Sequence, residues 1–306
     1  MGIISKVRVD KILSYLNSFG MSETCKEFNI KESTVERYKL EKRFINTRQP
    51  KILLLDIETA RMWVGVWQTG KQYVGYHQII KDWFILGWSC KWLFDFKVYS
   101  DFVTPKEAIE RDDDRVCHSI WKMIEDADIV ITHNGNSFDL PKINTRYIAN
   151  KILPNSSFNS IDTCRASKKH FSFSSNALNY LGRYLLRKEK LNTNYQLWID
   201  CEQGNEKQLK YMQVYCDEDV SLLEEVYLEL RPYIKSHPNL GVLMGSEEPC
   251  CPNCGSFDID DTDSYYTTPQ NMYVSVRCNG CGAVNRRKNT ELTKKQRDVL
   301  LVSTAR

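Results

Sequence analysis

The chain holds 306 residues, 42% hydrophobic and 26% charged, with a net charge of +3. This length can bury a sizeable core and house two or three domains, and the composition is ordinary for a soluble globular protein. No apolar run spans a bilayer and no apolar signal core follows Met1, so neither a membrane span nor a secretory leader is expected. The start Met1-Gly2 lacks the Ser or Thr of a myristoylation signal, because Lys6 stands there. Eleven cysteines without a secretion signal read as reduced thiols and metal ligands, which makes the expected compartment cytoplasmic. The first 50 residues carry a net +4 and residues 246–306 are neutral. A basic head on a near-neutral body fits contact with a polyanion.

In the head, residues 9–19 space their apolar side chains at helical intervals and stop at Gly20. Residues 22–28 open on Ser22 as an N-cap, 29–31 read as a turn, and 32–41 predict a third helix. Helix, helix, tight turn, helix is the helix-turn-helix plan. The stretch MSETCKEFNIKESTVERY resembles the helix-turn-helix of bacterial and phage DNA-binding proteins. The resemblance puts Cys25 and Val35 at buried positions. It turns Ser33, Thr34, Arg37, Tyr38 and Lys39 toward a groove or phosphates. The alternative is a small helical bundle used for protein contact. Residues 42–51, basic and carrying Pro50, read as a linker.

The chain is organised around residues 51–60, KILLLDIETA. A short unbroken apolar run suits a strand buried on both faces, and strand alternation points Asp56 and Glu58 the same way. Two carboxylates at the end of a buried strand repel each other. A cation between them relieves that, and hard divalent metals prefer carboxylate oxygen. The alternative is a strand that surfaces in two solvated acids. Residues 62–67 and 83–94 are rich in aromatic and β-branched side chains and read as strands of one sheet. Their rings could stack bases, or fill the core. The acidic run 112–114 reads as the solvated start of a helix over 116–127.

Residues 128–132 predict another buried strand, followed by His133-Asn134-Gly135-Asn136-Ser137-Phe138-Asp139 and a helix over 140–149. Asp139 sits where an N-cap belongs, with Pro141 in the first turn, or else the turn carries its carboxylate beside Asp56. Asp162 reads as structural, at a strand end, and 174–185 as a helix. A long amphipathic helix is expected over 208–230, with an interruption near Cys216. Tyr215 and Asp219 lie four apart and share a face of it.

Three motifs then fall in order. Asp56 to Thr59 (DIET), His133 to Asp139 (HNGNSFD) and Tyr215 to Asp219 (YCDED) resemble the exonuclease motifs of the DEDD, or DnaQ-like, 3′→5′ exonucleases, in the subclass with tyrosine. The resemblance covers about 190 residues. It implies an α/β, ribonuclease-H-like mixed sheet flanked by helices, like the proofreading domain of family-B polymerases. It also implies a phage or bacterial setting. Asp56, Glu58 and Asp219 would hold one Mg²⁺ or Mn²⁺, and Asp56 would bridge to a second that Asp139 supports directly or through water, in a two-metal site. Tyr215 would orient the attacking water, and Asn134 and Phe138 would support the motif and the terminal nucleotide. No polymerase domain fits in the remainder, so a stand-alone nuclease is expected. A ribonuclease or structure-specific endonuclease on the same fold, and an inactive DNA-binding regulator, are the rival readings.

In the tail, Cys251-Pro252-Asn253-Cys254-Gly255 and Cys278-Asn279-Gly280-Cys281-Gly282 are two CxxC turns spaced for a hairpin. Four thiolates so arranged make a closed tetrahedral site for one structural Zn²⁺, resembling a zinc ribbon, with Cys251 favoured over Cys250 by spacing. Tyr265, Tyr266, Tyr273, Arg277, Arg286, Arg287 and Lys288 surround it and would clamp nucleic acid or a protein partner. A short helix is expected over 291–300. The expected domains are thus a small all-α helix-turn-helix over 1–48, the exonuclease over 49–240, and the ribbon with its tail over 241–306. The expected partners are nucleic acid, DNA ahead of RNA, and a replication or repair protein.

Overall fold

The computed structural model describes residues 6–36, 48–188, 191 and 193–301. Contacts divide the chain into two units, Lys51–Pro238 and a second formed by Met1–Pro50 with Asn239–Arg306. None of the eleven cysteines is in a disulfide. Among the described residues no helix is long and apolar enough to cross a membrane.

The unit Lys51–Pro238 is an α/β domain built on a five-stranded mixed sheet. Its strands are β1 (Ile52–Thr59), β4 (Ile85–Trp92), β5 (Val98–Phe102), β6 (Ile129–Thr132) and β7 (Asn159–Asp162). They lie in the order β5-β4-β1-β6-β7. β4 pairs antiparallel with β1 and β5, and β6 parallel with β1 and β7. β1 is therefore the central strand, which is why its apolar run is continuous: Leu53, Leu54 and Leu55 are fully buried. Residues 62–67 do not join this sheet. Trp63–Val64 (β2) pairs instead with Ile79–Lys81 (β3) in a separate two-stranded ribbon.

Helices flank the sheet. These are α3 (Pro105–Glu110), α4 (Asp114–Glu125), α5 (Asp139–Ala149), α6 (Thr163–His170), α7 (Leu178–Leu181), α8 (Tyr195–Glu202) and α9 (Glu206–Leu230). α9 runs without interruption through Cys216 and packs across β1, β4 and β5. Only 178–181 of the expected helix 174–185 is α-helical, and the wider turn Gly182–Leu186 extends it. α9 presses close there, since a Cβ at Gly182 would stand 2.9 Å from the Leu222 side chain. Polar contacts then fix α9 along β4. Ser89 Oγ donates to Asp217 Oδ1 at 2.6 Å, Phe94 N–H to Glu224 Oε1 at 2.7 Å, and Lys91 pairs with Glu224.

The acidic run 112–114 departs from its expected role. Asp113 is buried and its carboxylate accepts from Ile85 N–H, from Arg146 through Nε and a terminal nitrogen, and from Asn150 Nδ2. It ties the start of β4 to α5, which local sequence does not reveal.

In the second unit, α1 (Lys6–Phe28) is broken at Gly20 (φ 80°, ψ 173°), a conformation that favours glycine. Ile12 is buried against Leu16, Phe28 and Ile30. Asn29 turns the chain at φ 49°, and residues 32–36 are helical (α2). Val35 is buried, but Thr24 rather than Cys25 takes the fully buried place before the turn, its hydroxyl donating to Gly20 O at 2.6 Å. Cys25 is half-buried. Ser33 is exposed and Thr34 half-buried, while Arg37, Tyr38 and Lys39 lie outside the described residues.

After α10 (Leu240–Met244), the tail forms the antiparallel sheet β10-β9-β8 from Ile259–Thr267 (β8), Met272–Cys278 (β9) and Val284–Arg286 (β10). The last helix, α11, is shorter than expected, Lys294–Asp298.

Asp113→Ala would strand the Arg146 guanidinium, a largely buried cation, and the Ile85 N–H. The expected loss is about 3 kcal/mol. It would be read as a lower urea midpoint with an unchanged slope of unfolding.

Candidate active site

Three elements bring their acids together. Asp56 and Glu58 project from the C-terminal end of β1, on the face opposite Leu55 and Ile57, and Asp219 from α9. Carboxylate oxygens of the three lie within 4.8 Å of one another, and Asp219 is 4% exposed. The pairing register with β4 shifts between Glu58 and Thr59, at the end of β1. Gly87, opposite Glu58, admits no side chain, because a Cβ there would stand 2.3 Å from the Phe102 ring.

Cys216, one turn before Val220 on α9, points its thiol at Asp56, with Sγ 3.4 Å from Oδ2. Burial, first, and then the Asp56 charge push this thiol well above its ordinary pKa, so it stays an S–H donor. Its apolar character concealed this contact in the sequence. Tyr215 is half-buried and packs against the hydrophobic core one turn ahead of Asp219.

Asp139 does not cap its own helix. It is the first residue of α5, with Phe138 preceding, and its Oδ1 accepts from Ile57 N–H at 3.2 Å. The carboxylate thus lodges on the backbone between Asp56 and Glu58. Burial pushes it up to about 7, against the Ile57 N–H and its own N–H, and the nearby Asp162 charge adds to the rise. The turn before it is held by Asp162. That carboxylate accepts from Asn134 and Asn136 N–H and from Arg165 N–H, so it braces the turn and caps α6. Asn134 sits at φ 69° with its side chain exposed, and it serves the turn through its backbone, donating to Asp162 and accepting from Ser137 N–H at 3.1 Å.

A cleft of about 570 Å³ adjoins the end of β1, lined by Thr59, Arg61, Met62, Trp83, Lys142 and Tyr195 among others. Lys142 Nζ lies 3.6 Å over the Trp83 ring and 5.0 Å from that of Phe138. Burial lowers the lysine's pKa, opposed by the Asp82 charge. The sequence reading named Phe138 and missed Lys142, although the spacing of four on one helix is a usable signal. Trp83 and Tyr195 come from other elements and carried none.

In the tail, Cys251, Cys254, Cys278 and Cys281 also converge within 4.8 Å, and Cys250 is not among them. The Cys251–Cys281 and Cys254–Cys278 sulfur separations are 3.7 and 3.5 Å. A tetrahedral ion with metal–sulfur bonds of about 2.3 Å needs edges near 3.8 Å, so the cluster is compatible with zinc. Both knuckles fold alike: Gly255 N–H donates to Cys251 O and Gly282 N–H to Cys278 O, each at 2.8 Å. Both glycines have positive φ, 75° and 81°. Beside them Arg286 stacks on Tyr273 at 4.0 Å, and Arg287 pairs with Asp261 at 2.7 Å.

Residues 93–231 match the family model of the RNase_H superfamily. No curated protein matches the chain. The match runs from the end of β4 to just past α9; it contains Asp139, Tyr215 and Asp219, and β1 with Asp56 and Glu58 precedes it. The α/β domain is RNase H-like, and that class points to nuclease-type chemistry on nucleic acid.

A raised carboxyl pKa fixes the sign of a stability effect. The unfolded Asp139 ionises near 4 and the folded one near 7, so stability is lost as pH rises through that window. Asp139→Asn keeps an acceptor for Ile57 N–H and removes the charge. In EDTA the variant is expected to melt above the parent at pH 8, with the gap closing by pH 4, by thermal unfolding.

Proposed function

We propose that the RNase H-like domain is a metal-dependent 3′→5′ exonuclease that releases nucleoside 5′-monophosphates from nucleic-acid ends, DNA ahead of RNA. The observation that carries this reading is the meeting of Asp56, Glu58 and Asp219 within 4.8 Å, with Asp139 lodged on the backbone between the first two. Three hard oxygen donors fit Mg²⁺ or Mn²⁺, and their mutual repulsion is relieved by such a charge. In this reading Asp56, Glu58 and Asp219 hold one cation, and Asp56 with Asp139 a second. Bound cations supply Lewis-acid stabilisation of the attacking and leaving oxygens of the phosphodiester.

The side chains do the rest. The Tyr215 hydroxyl, one turn from Asp219, orients a water. The water oxygen bonds to phosphorus as the P–O3′ bond breaks; the water gives up one proton and O3′ takes one up, leaving a 3′-hydroxyl on the shortened strand and a 5′-phosphate on the departing nucleoside. The cleft beside Thr59 receives that nucleoside against Trp83, with Phe138 and Lys142 at its edge. The head acts as a helix-turn-helix that holds nucleic acid through Ser33, Thr34, Arg37 and Lys39. The tail is a zinc ribbon with Zn²⁺ on Cys251, Cys254, Cys278 and Cys281, its Arg286–Tyr273 face turned to a nucleic acid or protein partner.

Two measurements test this. With 5′-labelled single-stranded DNA and RNA and Mn²⁺, the parent is expected to give a ladder shortening from the 3′ end. Asp56→Ala should abolish it at unchanged zinc content, and Tyr215→Phe should slow it about 10²-fold or less. Discrete internal fragments would make the domain an endonuclease, and binding without cleavage a regulator. Metal analysis should find one zinc per chain, lost in Cys278→Ser. Full zinc in that variant would refute the four-thiolate site.

A further inference from the structure

Between β1 and β4 the chain leaves the sheet as an arm, residues 62–82, whose paired core is the β2–β3 ribbon. Its root is held hard. The side chain of Glu202 is fully buried and accepts from Arg61 through N–H, Nε and a terminal nitrogen, and from Trp63 Nε1 at 2.8 Å. Burial raises this carboxyl and the Arg61 and Trp63 hydrogen bonds outweigh it, leaving the pKa below the ordinary value. One terminal nitrogen of Arg111 donates to both feet of the arm, to Arg61 O at 2.8 Å and Asp82 O at 2.7 Å. Met62 and Trp83, at those feet, line the cleft beside Thr59.

The outer part is the reverse. Trp67 is 101% exposed, Tyr73 94% and Tyr76 87%. Residues 62–82 carry two lysines, Lys71 and Lys81, and one acid, Asp82, at the foot of the arm. Three large rings held in water on a rigid root, with Lys71 and Lys81 on the same arm, suit a planar, anionic occupant.

We propose that residues 62–82 are a clamp for single-stranded nucleic acid, with Trp67, Tyr73 and Tyr76 stacking on bases of the strand that leads to the cleft. The proposal rests on the nuclease reading for the direction of that strand. A single strand is the occupant because a base in a duplex has both faces stacked, whereas an unpaired one offers a free face at any sequence. The phosphates between stacked bases meet Lys71 and Lys81, and Lys81 also lies 4.4 Å over the Trp63 ring. A protein partner would need acidic or apolar complementarity over the same surface, and the polar Gln68, Thr69 and Gln72 between the rings make a poor apolar seat.

The test uses the full zinc-loaded chain in an Asp56→Ala background, with no chelator and no added Mg²⁺ or Mn²⁺, so that no cleavage occurs and the clamp and the nuclease chemistry fail separately. A 20-nucleotide single strand carrying 5-iododeoxyuridine is irradiated on the protein and the adducts are mapped by mass spectrometry. Adducts are expected on Trp67, Tyr73 or Tyr76. Loss of each ring should weaken binding about fivefold or more, and the triple variant Trp67→Ala/Tyr73→Ala/Tyr76→Ala on the order of 100-fold, by fluorescence anisotropy. A four-nucleotide strand and a blunt duplex should lose little. The thermal midpoint of the variant should match the parent, since the rings contact solvent. Adducts confined to other segments, equal binding by parent and variant, or equal weakening for the duplex would overturn the clamp. So would a change of oligomeric state in the variant with strand binding intact, which would make the rings an interface between copies. Retained clamp behaviour, with no cleavage by the chain that keeps Asp56 when Mn²⁺ is added, would overturn the nuclease reading alone.

Discussion

Three carboxylates forced within 4.8 Å set the terms for the α/β domain. At that separation each pair of charges repels by about 3–4 kcal/mol at the effective dielectric of a protein. Two of the acids share a strand and cannot separate. The third is held in place by α9, and α9 is held by its packing across three strands and by polar ties to β4 through Asp217 and Glu224. The scaffold thus keeps together groups that would otherwise part, and in the proposed reading a divalent cation would relieve their repulsion.

Around this centre, the same device recurs: a buried carboxylate gathers backbone N–H groups from chain segments distant in sequence. Asp139 takes Ile57 N–H, Asp162 takes Asn134 and Asn136 N–H, Asp113 takes Ile85 N–H, and Glu202 takes Arg61 N–H. Each fixes a turn or strand end that neither helix nor sheet would hold, and a charged acceptor makes those bonds strong. The geometry near Asp56 and Glu58 therefore depends on Asp162, Asp113 and Glu202, which lie outside the proposed metal site, as well as on Asp139, which belongs to it.

This division explains what could be read beforehand. β1, the turn at 133–138 and the face shared by Tyr215 and Asp219 were legible because the signal is local: an apolar run, Gly with Asn, a spacing of four. The roles of Asp113 and Glu202 were not, because an acid in a helix start or helix end looks solvated until its partner, 33 or 141 residues away, is known. The aromatic segment 62–67 read as a strand of the main sheet for a similar reason. Its composition is that of a strand, and only the pairing with 79–81 sends it outward. The four thiols of the tail lay at the other extreme, since the two CxxC turns and their glycines carry the whole pattern.

The separation of the acids along the chain has a consequence for synthesis. Glu58 leaves the ribosome some 160 residues before Asp219, and β1 cannot receive α9 until that helix has been made. Domains form as units during translation, from the N-terminus onward. A nascent chain therefore carries its head, its first strands and two of its acids through most of elongation with the centre incomplete. The three-acid centre is therefore assembled only once almost all of the domain has emerged.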